Sequence, residues 1–360
     1  MTPYRTIAQQ SARYPVFVSR GAIDGVGMVV SSAAGAGKRP FVITSANLLE
    51  PFGRRVAASF DPPARIILIE EGEGRKTLET AAAVVTALLA AGAQRDAVAV
   101  VVGGGMIGDT AGFAASIFLR GIDLVHVPTT LLAQVDSSIG GKVAVNHPAG
   151  KNLVGSFHAP RAVVADVDAL VTLPERELLS GIFEALKSGV IGDATLFELT
   201  EQNRMAILER HPEVLEEVVR RSVDVKGEIV SADEREGDLR RILNYGHTIG
   251  HGIEAATHYE GMTHGEAVGW GMIAANAIAV RRGVLPADVA QRIDNAIAAF
   301  HPAPPPVLDR QAMLRAVAHD KKFSGGRRVM VLPRSIGGCV VVDDIESAEL
   351  EYGIDAITAR

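Results

Sequence analysis

With 360 residues the chain is too long for one small core and suits two domains. Hydrophobic residues make up 48% and charged residues 22%, and a net charge of -6 without a basic run argues against nucleic acid as a partner. No apolar stretch approaches the ~20 uncharged residues of a membrane span, the start MTPYRTIAQQSARYPV lacks a leader-like apolar region, and the single Cys339 cannot form an internal disulfide, so a reducing cytoplasm is expected.

In chain order, Phe41 to Thr44, Ile66 to Ile69 and Val98 to Val102 are apolar on both faces and predict buried strands. Leu78 to Ala91 between them predicts a helix, and Asp123 to Val127 and Ala162 to Ala165 predict further strands. This alternation indicates a parallel α/β sheet covered on both sides. Near Thr172-Leu173-Pro174 the pattern changes to long helices over Glu175 to Val190, His211 to Ile229 and His264 to Arg282. The expected architecture is an α/β Rossmann-like domain over 1–173 and a mainly α-helical domain over 174–360. The segment His301 to Val307 reads as a loop or short stiff connector.

Gly103-Gly104-Gly105-Met106-Ile107-Gly108-Asp109 follows the Val98 strand and precedes a helical stretch from Thr110. It satisfies G-x-G-x-x-G in the required strand–turn–helix context, where glycines admit a pyrophosphate to a helix N-terminus. A tight structural turn fits the same residues, and the loop follows a late strand rather than the first. Gly72-Glu73-Gly74-Arg75-Lys76 offers a carboxylate for ribose hydroxyls and a lysine for a phosphate, or simply a solvated turn.

His247 and His251 lie four apart on one helical face, and His264-Gly265-Glu266 follows. Concentrated imidazoles beside small residues suit a metal or phosphate site. Glu184, flanked by apolar residues, is a candidate further ligand, because a buried carboxylate is costly unless paired or metal-bound. Helix-capping histidines and a Glu184–Lys187 pair are the alternative. A dense polar stretch from Thr129 to Lys142, continued by Asn146 to Asn152, makes a plausible cradle for an anionic substrate, with further cations at Lys226, Arg240 and Lys322.

These stretches together resemble the 3-dehydroquinate synthase family of sugar phosphate cyclases. The similarity rests on GGGMIGDTAGFAAS, FLRGI, VPTTLLAQVDSSIGGKVAVNHPAGKNLVGSF, TLPERELLSGIFEALKSGVI, LNYGHTIGHGIEAATHY, HGEAVGWGM and DKKFSGG, from about residue 103 to 326. The resemblance implies NAD in the first domain and a zinc-type ion (or Co2+) in the second, with Glu184, His247 and His264 as ligands. It implies NAD contacts from Glu73, Lys76, Gly104, Gly105, Asp109, Thr129, Thr130, Lys142 and Lys151. Ser45 stands where the family often has Asn or Asp near the adenine ribose. Substrate contacts are implied for Asp136, Lys142, Asn152, Lys187, Lys226, Arg240, Asn244, His251 and Lys322, and for Arg120 across a homodimer interface. Within that set, His251, Lys142, Asn152 and Lys322 would hold a phosphate, and Lys226, Arg240 and Asn244 a carboxylate.

The implied substrate is 3-deoxy-D-arabino-heptulosonate 7-phosphate. The implied reaction oxidises it transiently by NAD, eliminates phosphate, re-reduces it and closes the ring by an intramolecular aldol step. That would make the protein a lyase of aromatic amino acid biosynthesis, by the shikimate pathway. The alternatives are another sugar phosphate cyclase, an NAD- and metal-dependent polyol dehydrogenase, or a homologue that binds without catalysis.

Overall fold

The computed structural model describes residues 1–257, 261–304, 313–314 and 328–358. They form two compact units, Met1–Leu173 with Leu215–Arg235, and Pro174–Val214 with Glu236–Arg360. Lys322 lies outside the described residues, as do 305–307 at the end of the expected proline connector; His301 to Pro304 before them is irregular.

The first unit is built on a seven-stranded sheet: β1 (Arg5–Ala8), β2 (Arg13–Val18), β3 (Arg39–Thr44), β4 (Arg65–Leu68), β5 (Ala97–Gly103), β6 (Asp123–Pro128) and β9 (Ala162–Ala165). Its spatial order is β1-β2-β9-β6-β5-β3-β4. All neighbours are parallel except β1 and β2. Two further strands, β7 (Lys142–His147) and β8 (Gly150–Phe157), form a separate antiparallel hairpin. The sheet is covered by α1 (Val26–Ala34), α2 (Leu78–Ala90) and α3 (Gly105–Ile117). Successive residues of one strand enter different cores. Ala99 and Val101 pack with Ile107 and Ala111 of α3, whereas Val98, Val100 and Val102 pack with Val26 and Val30 of α1. That is why the central strands read as continuous apolar runs.

The five strands β4-β3-β5-β6-β9, numbered by their own succession, follow the order 2-1-3-4-5. In such a sheet the order reverses between the first and third strands, here β3 and β5. Ligands bind at the carboxyl ends of the strands at that switch point. Ser45 follows β3 and Gly104 follows β5, so the late position of the glycine loop is the one this topology requires.

The second unit contains α4 (Glu175–Gly192), α6 (His247–Ala256), α7 (His264–Arg281), α8 (Ala287–Ala299), α9 (Ser347–Thr358) and the antiparallel pair β10 (Met330–Ser335) and β11 (Gly338–Val342). A single cut after residue 173 does not describe the chain. The intervening helix α5 (Pro212–Ala232) falls largely in the first unit, where Arg5 and Tyr4 bond Asp224 and Arg220 donates to the Val18 carbonyl. No described helix is long and apolar enough to cross a membrane.

On β6, His126 is 6% exposed and faces Gly108 of α3. Burial, reinforced by the charge of His158, pushes its pKa down to about 4. The unfolded chain therefore binds this proton more tightly, and stability falls as pH drops from about 6.5 toward 4. The full effect is on the order of 3 kcal/mol. His126→Gln is expected to flatten that part of the profile in denaturant unfolding measured against pH; an unchanged slope refutes the buried neutral ring.

Candidate active site

In the first unit, the turn after β5 leads directly into α3. Gly104 is the N-cap, and a Cβ there would come within 2.8 Å of the Thr130 methyl, so glycine is what lets the two turns meet. The first N–H groups of α3 lie at its start without intrahelical acceptors, and Gly108 is the first whose N–H reaches back, to the Gly104 carbonyl. Thr129 is buried and its N–H donates to the Gly103 carbonyl; the Thr130 hydroxyl accepts from the Ala133 N–H.

Around this turn a polar mesh joins three elements. Lys76 is buried and donates to Asp109 and to the Asn152 side chain, each at 2.6 Å. Burial pushes the Asp109 carboxyl up, and the Lys76 charge opposes that shift. Asn152, held at a left-handed φ of 53°, donates its N–H to the Asn146 side chain. Asn146 in turn donates to Glu73 at 2.8 Å, and Lys151 stands 3.7 Å from the same carboxylate. Glu73, Lys76, Asp109, Lys151 and Asn152 are thus brought together, and Asn146, which the sequence did not single out, ties them. Ser45, buried at the end of β3, hydrogen-bonds Glu71, which also accepts from Asn47 at 2.7 Å. A carboxylate therefore stands beside Ser45.

Lys226 of α5 donates to the Asp136 carboxylate at 2.8 Å and to its backbone carbonyl at 2.6 Å. Arg240 and Asn244, its expected companions, belong to the second unit. Lys142 opens β7 with an exposed side chain. Leu119 and Arg120, both exposed, sit at φ values of 50° and 71°. Two adjacent residues held in this left-handed region mark a strained position.

In the second unit, Glu184 of α4 is 1% exposed and ion-paired with Lys187, so the pairing alternative is itself realised. Its Oε1 lies 3.6 Å from Nε2 of His247 and 3.3 Å from Nε2 of His264. His247 Nδ1 is 3.1 Å from the Tyr245 carbonyl, and His264 Nδ1 is 3.3 Å from Glu254. Both contacts assign the ring proton to Nδ1 and leave a bare lone pair on Nε2. Two imidazole lone pairs and a carboxylate then face one another, an arrangement that repels itself unless a cation lies between. The three ligand atoms lie within 4.8 Å of one another. One carboxylate and two imidazoles suit a zinc-type ion and leave coordination positions for substrate. The donor set therefore fits a metal.

The electrostatics agree. Burial disfavours charge on Glu184, yet Lys187 and the two histidines hold it well below the usual carboxylate range. Burial and Lys187 push His247 down. Burial opposes protonation of His264 too, but Glu254 and Glu184 push it up to about 10, the effect of a ring held between two carboxylates.

The helices that carry these groups are held closely. A Cβ on Gly271 of α7 would lie 1.9 Å from the Gly246 carbonyl at the start of α6, so only glycine allows this approach. Thr263 and Glu266 form a capping box at the start of α7, Gly265 N–H donates to Ser180 of α4, and Arg176 pairs with buried Glu266. His264 is thereby fixed relative to Glu184. His251 stacks edge-on with His247 at 5.4 Å between ring centroids. Arg240 is buried, and Asn244 donates to Glu236 at 3.2 Å.

Residues 66–180 match the family model for the 3-dehydroquinate synthase N-terminal region, and residues 181–323 match that for the C-terminal region. A 3-dehydroquinate synthase of Caulobacter vibrioides (strain NA1000 / CB15N) is 43% identical over 348 residues, 94% of each chain. Among solved structures, 2-epi-5-epi-valiolone synthase of Streptomyces hygroscopicus subsp. jinggangensis 5008, with NAD+ and Zn2+ bound, is 31% identical with a TM-score of 0.87, covering 99% of both chains. A 2-deoxy-scyllo-inosose synthase complexed with carbaglucose-6-phosphate, NAD+ and Co2+ is 28% identical, also with a TM-score of 0.87, covering 98% of this chain and 99% of that one. By both halves of its sequence, the chain belongs to the 3-dehydroquinate synthase family.

Proposed function

We propose that the chain converts 3-deoxy-D-arabino-heptulosonate 7-phosphate into 3-dehydroquinate and phosphate, with NAD and a divalent ion of the zinc or cobalt type. The observation that carries this reading is the set Glu184, His247 and His264, a buried carboxylate and two half-buried imidazoles whose ligand atoms lie within 4.8 Å of one another, in a member of this family. NAD would supply a transient hydride acceptor, and the ion a Lewis acid beside the hydroxyl to be oxidised. Glu184, His247 and His264 would hold the ion; Gly104, Gly105, Thr129, Thr130 and the mesh of Glu73, Lys76, Asp109 and Lys151 would hold the dinucleotide.

The chain's other groups would bind and orient. Lys142, Asn152, His251 and Lys322 are assigned to the phosphate, Lys226, Arg240 and Asn244 to the carboxylate side of the substrate, and Asp136 and Lys187 to further substrate contacts. The buried guanidinium of Arg240 favours the carboxylate-bearing substrate over those of the valiolone and inosose synthases. A polyol dehydrogenase, the other reaction class, does not require that many phosphate-binding cations.

Incubation of the protein with the heptulosonate phosphate is expected to release inorganic phosphate without net accumulation of NADH, and a chelator is expected to abolish release. Stoichiometric NADH refutes the cyclase reading. Glu184→Gln is expected to lower bound metal and turnover together; full turnover at normal metal content removes Glu184 from the ligand set.

The protein is further proposed to act as a homodimer in which Arg120 serves the partner's site. The support is a cluster of exposed apolar side chains beside it: Ile117 at 49%, Leu119 at 40% and Phe157 at 46% exposure. Ile117 and Phe157 are brought near each other by the Ser116–Ser156 hydrogen bond. Light scattering is expected to give twice the chain mass. Arg120→Ala and Lys187→Ala, each inactive alone, are expected to recover up to about a quarter of wild-type turnover when subunits are mixed, since half of the dimers then hold one complete site. No recovery places Arg120 in its own subunit's site.

A further inference from the structure

His247, His251 and Glu254 stand at positions i, i+4 and i+7 of α6 and therefore share one face. Glu254 is 4% exposed, and a carboxylate this deeply buried needs a partner of opposite charge or a hydrogen-bond donor. Its Oε2 lies 3.3 Å from Nδ1 of His264, while Nε2 of the same ring lies 3.3 Å from Glu184. The imidazole thus stands between two carboxylates, one on each nitrogen. A cation held by Nε2 and Glu184 is on the far side of the ring from Glu254, out of that carboxylate's reach.

Resting on the metal reading above, we propose that Glu254 is a positioning residue: it holds the Nδ1 proton of His264, turns Nε2 toward Glu184, and raises the donor strength of the ring toward the ion. Carboxylate partners of metal-bound histidines act this way in general. The two histidines differ in this respect. His247 donates to a neutral backbone carbonyl, that of Tyr245, whereas His264 donates to a full negative charge.

The charge count supports the same assignment. A dication with Glu184 alone leaves one uncompensated positive charge in a buried site, and Lys187, ion-paired with Glu184, adds another. Glu254 removes one of the two.

A competing arrangement makes Glu254 a ligand in its own right, since His251, Glu254 and His264 also present ligand atoms within 4.8 Å of one another. The two differ in which nitrogen of His264 binds the ion. In that arrangement the ring would bind through Nδ1, and Glu184 would be idle.

The test compares the wild-type full chain with Glu254→Gln, Glu254→Asp and Glu184→Gln. The readouts are Co2+ affinity by competition with a chromophoric chelator and the visible absorption of the Co2+ form, with the thermal unfolding transition as a check of folding. Glu254→Gln is expected to weaken Co2+ binding by about 10- to 100-fold while keeping the wild-type band pattern, because the ligands themselves are unchanged. Glu254→Asp, which keeps the charge, is expected to fall between Gln and wild type.

Wild-type affinity in Glu254→Gln overturns the proposal. So does a band pattern altered as in Glu184→Gln, which makes Glu254 a ligand. If Glu254→Gln does not fold, Glu254→Asp carries the test: weaker binding with the wild-type spectrum is expected, and wild-type affinity overturns the proposal. Undiminished Co2+ binding by Glu184→Gln is a different failure, of the metal site itself.

Discussion

A carboxylate that is 1% exposed dictates the form of the second unit. Glu184 cannot be left charged in an apolar helix bundle without nearby positive charge, and removing one partner of such a group costs several kcal/mol. Lys187, one helical turn away, supplies part of it, and His247 and His264 face the remainder. To bring those rings within reach, α6 and α7 must approach α4 and each other more closely than ordinary side chains allow. The glycines follow from this: Gly271 lets α7 meet the turn before α6, and Gly265 brings the start of α7 onto Ser180. The capping box at Thr263 and the Arg176–Glu266 pair then fix the end of the helix that bears His264.

The first unit obeys a topological constraint instead. Parallel strands need crossover helices, and the order of five strands places a reversal between β3 and β5. Everything expected to contact a dinucleotide lies at the carboxyl ends of the strands nearest that reversal, or is tethered there. The Asn146 side chain matters because the β7–β8 hairpin is not part of the main sheet. Its bonds to Glu73 and to the Asn152 backbone, with the Lys76–Asn152 contact, fasten the hairpin to the turn after β4.

Much of this was legible in the sequence where one physical cause acts locally. FVIT and VAVVV read as buried strands because both faces of a parallel sheet are covered, and the glycine run read as a phosphate-type turn because its strand and helix flank it. The β7–β8 hairpin was not legible: β7 offers only two alternating buried residues, Val143 and Val145, and β8 carries two glycines and no buried position, so no sustained period-2 apolar face appears. Strands β1 and β2 hide for a related reason, being short and carrying arginine, tyrosine and proline. The allegiance of α5 to the first unit depends on Ile7 against Gly227, residues 220 positions apart, which no window of sequence contains. Glu71 beside Ser45 is illegible for the same reason, being set by the pairing of β3 with β4. Glu254 was within reach, since it continues the His247–His251 stripe by three residues.

The case of Lys226 shows what residue-by-residue transfer within a family omits. The resemblance implies that it holds a carboxylate together with Arg240 and Asn244. In the fold its ammonium is engaged by Asp136, through both the side chain and the backbone carbonyl, and it sits on a helix anchored to β1. Arg240 is instead presented from a short helical turn, Leu239–Asn244, whose end is tied to Glu236 by Asn244. A lysine already neutralised by an aspartate contributes less net charge to an incoming carboxylate than its side chain alone implies. Its ammonium fixes the geometry of the Asp136 segment, so the Lys226–Asp136 pair has to be weighed as one unit in any account of how the carboxylate is bound.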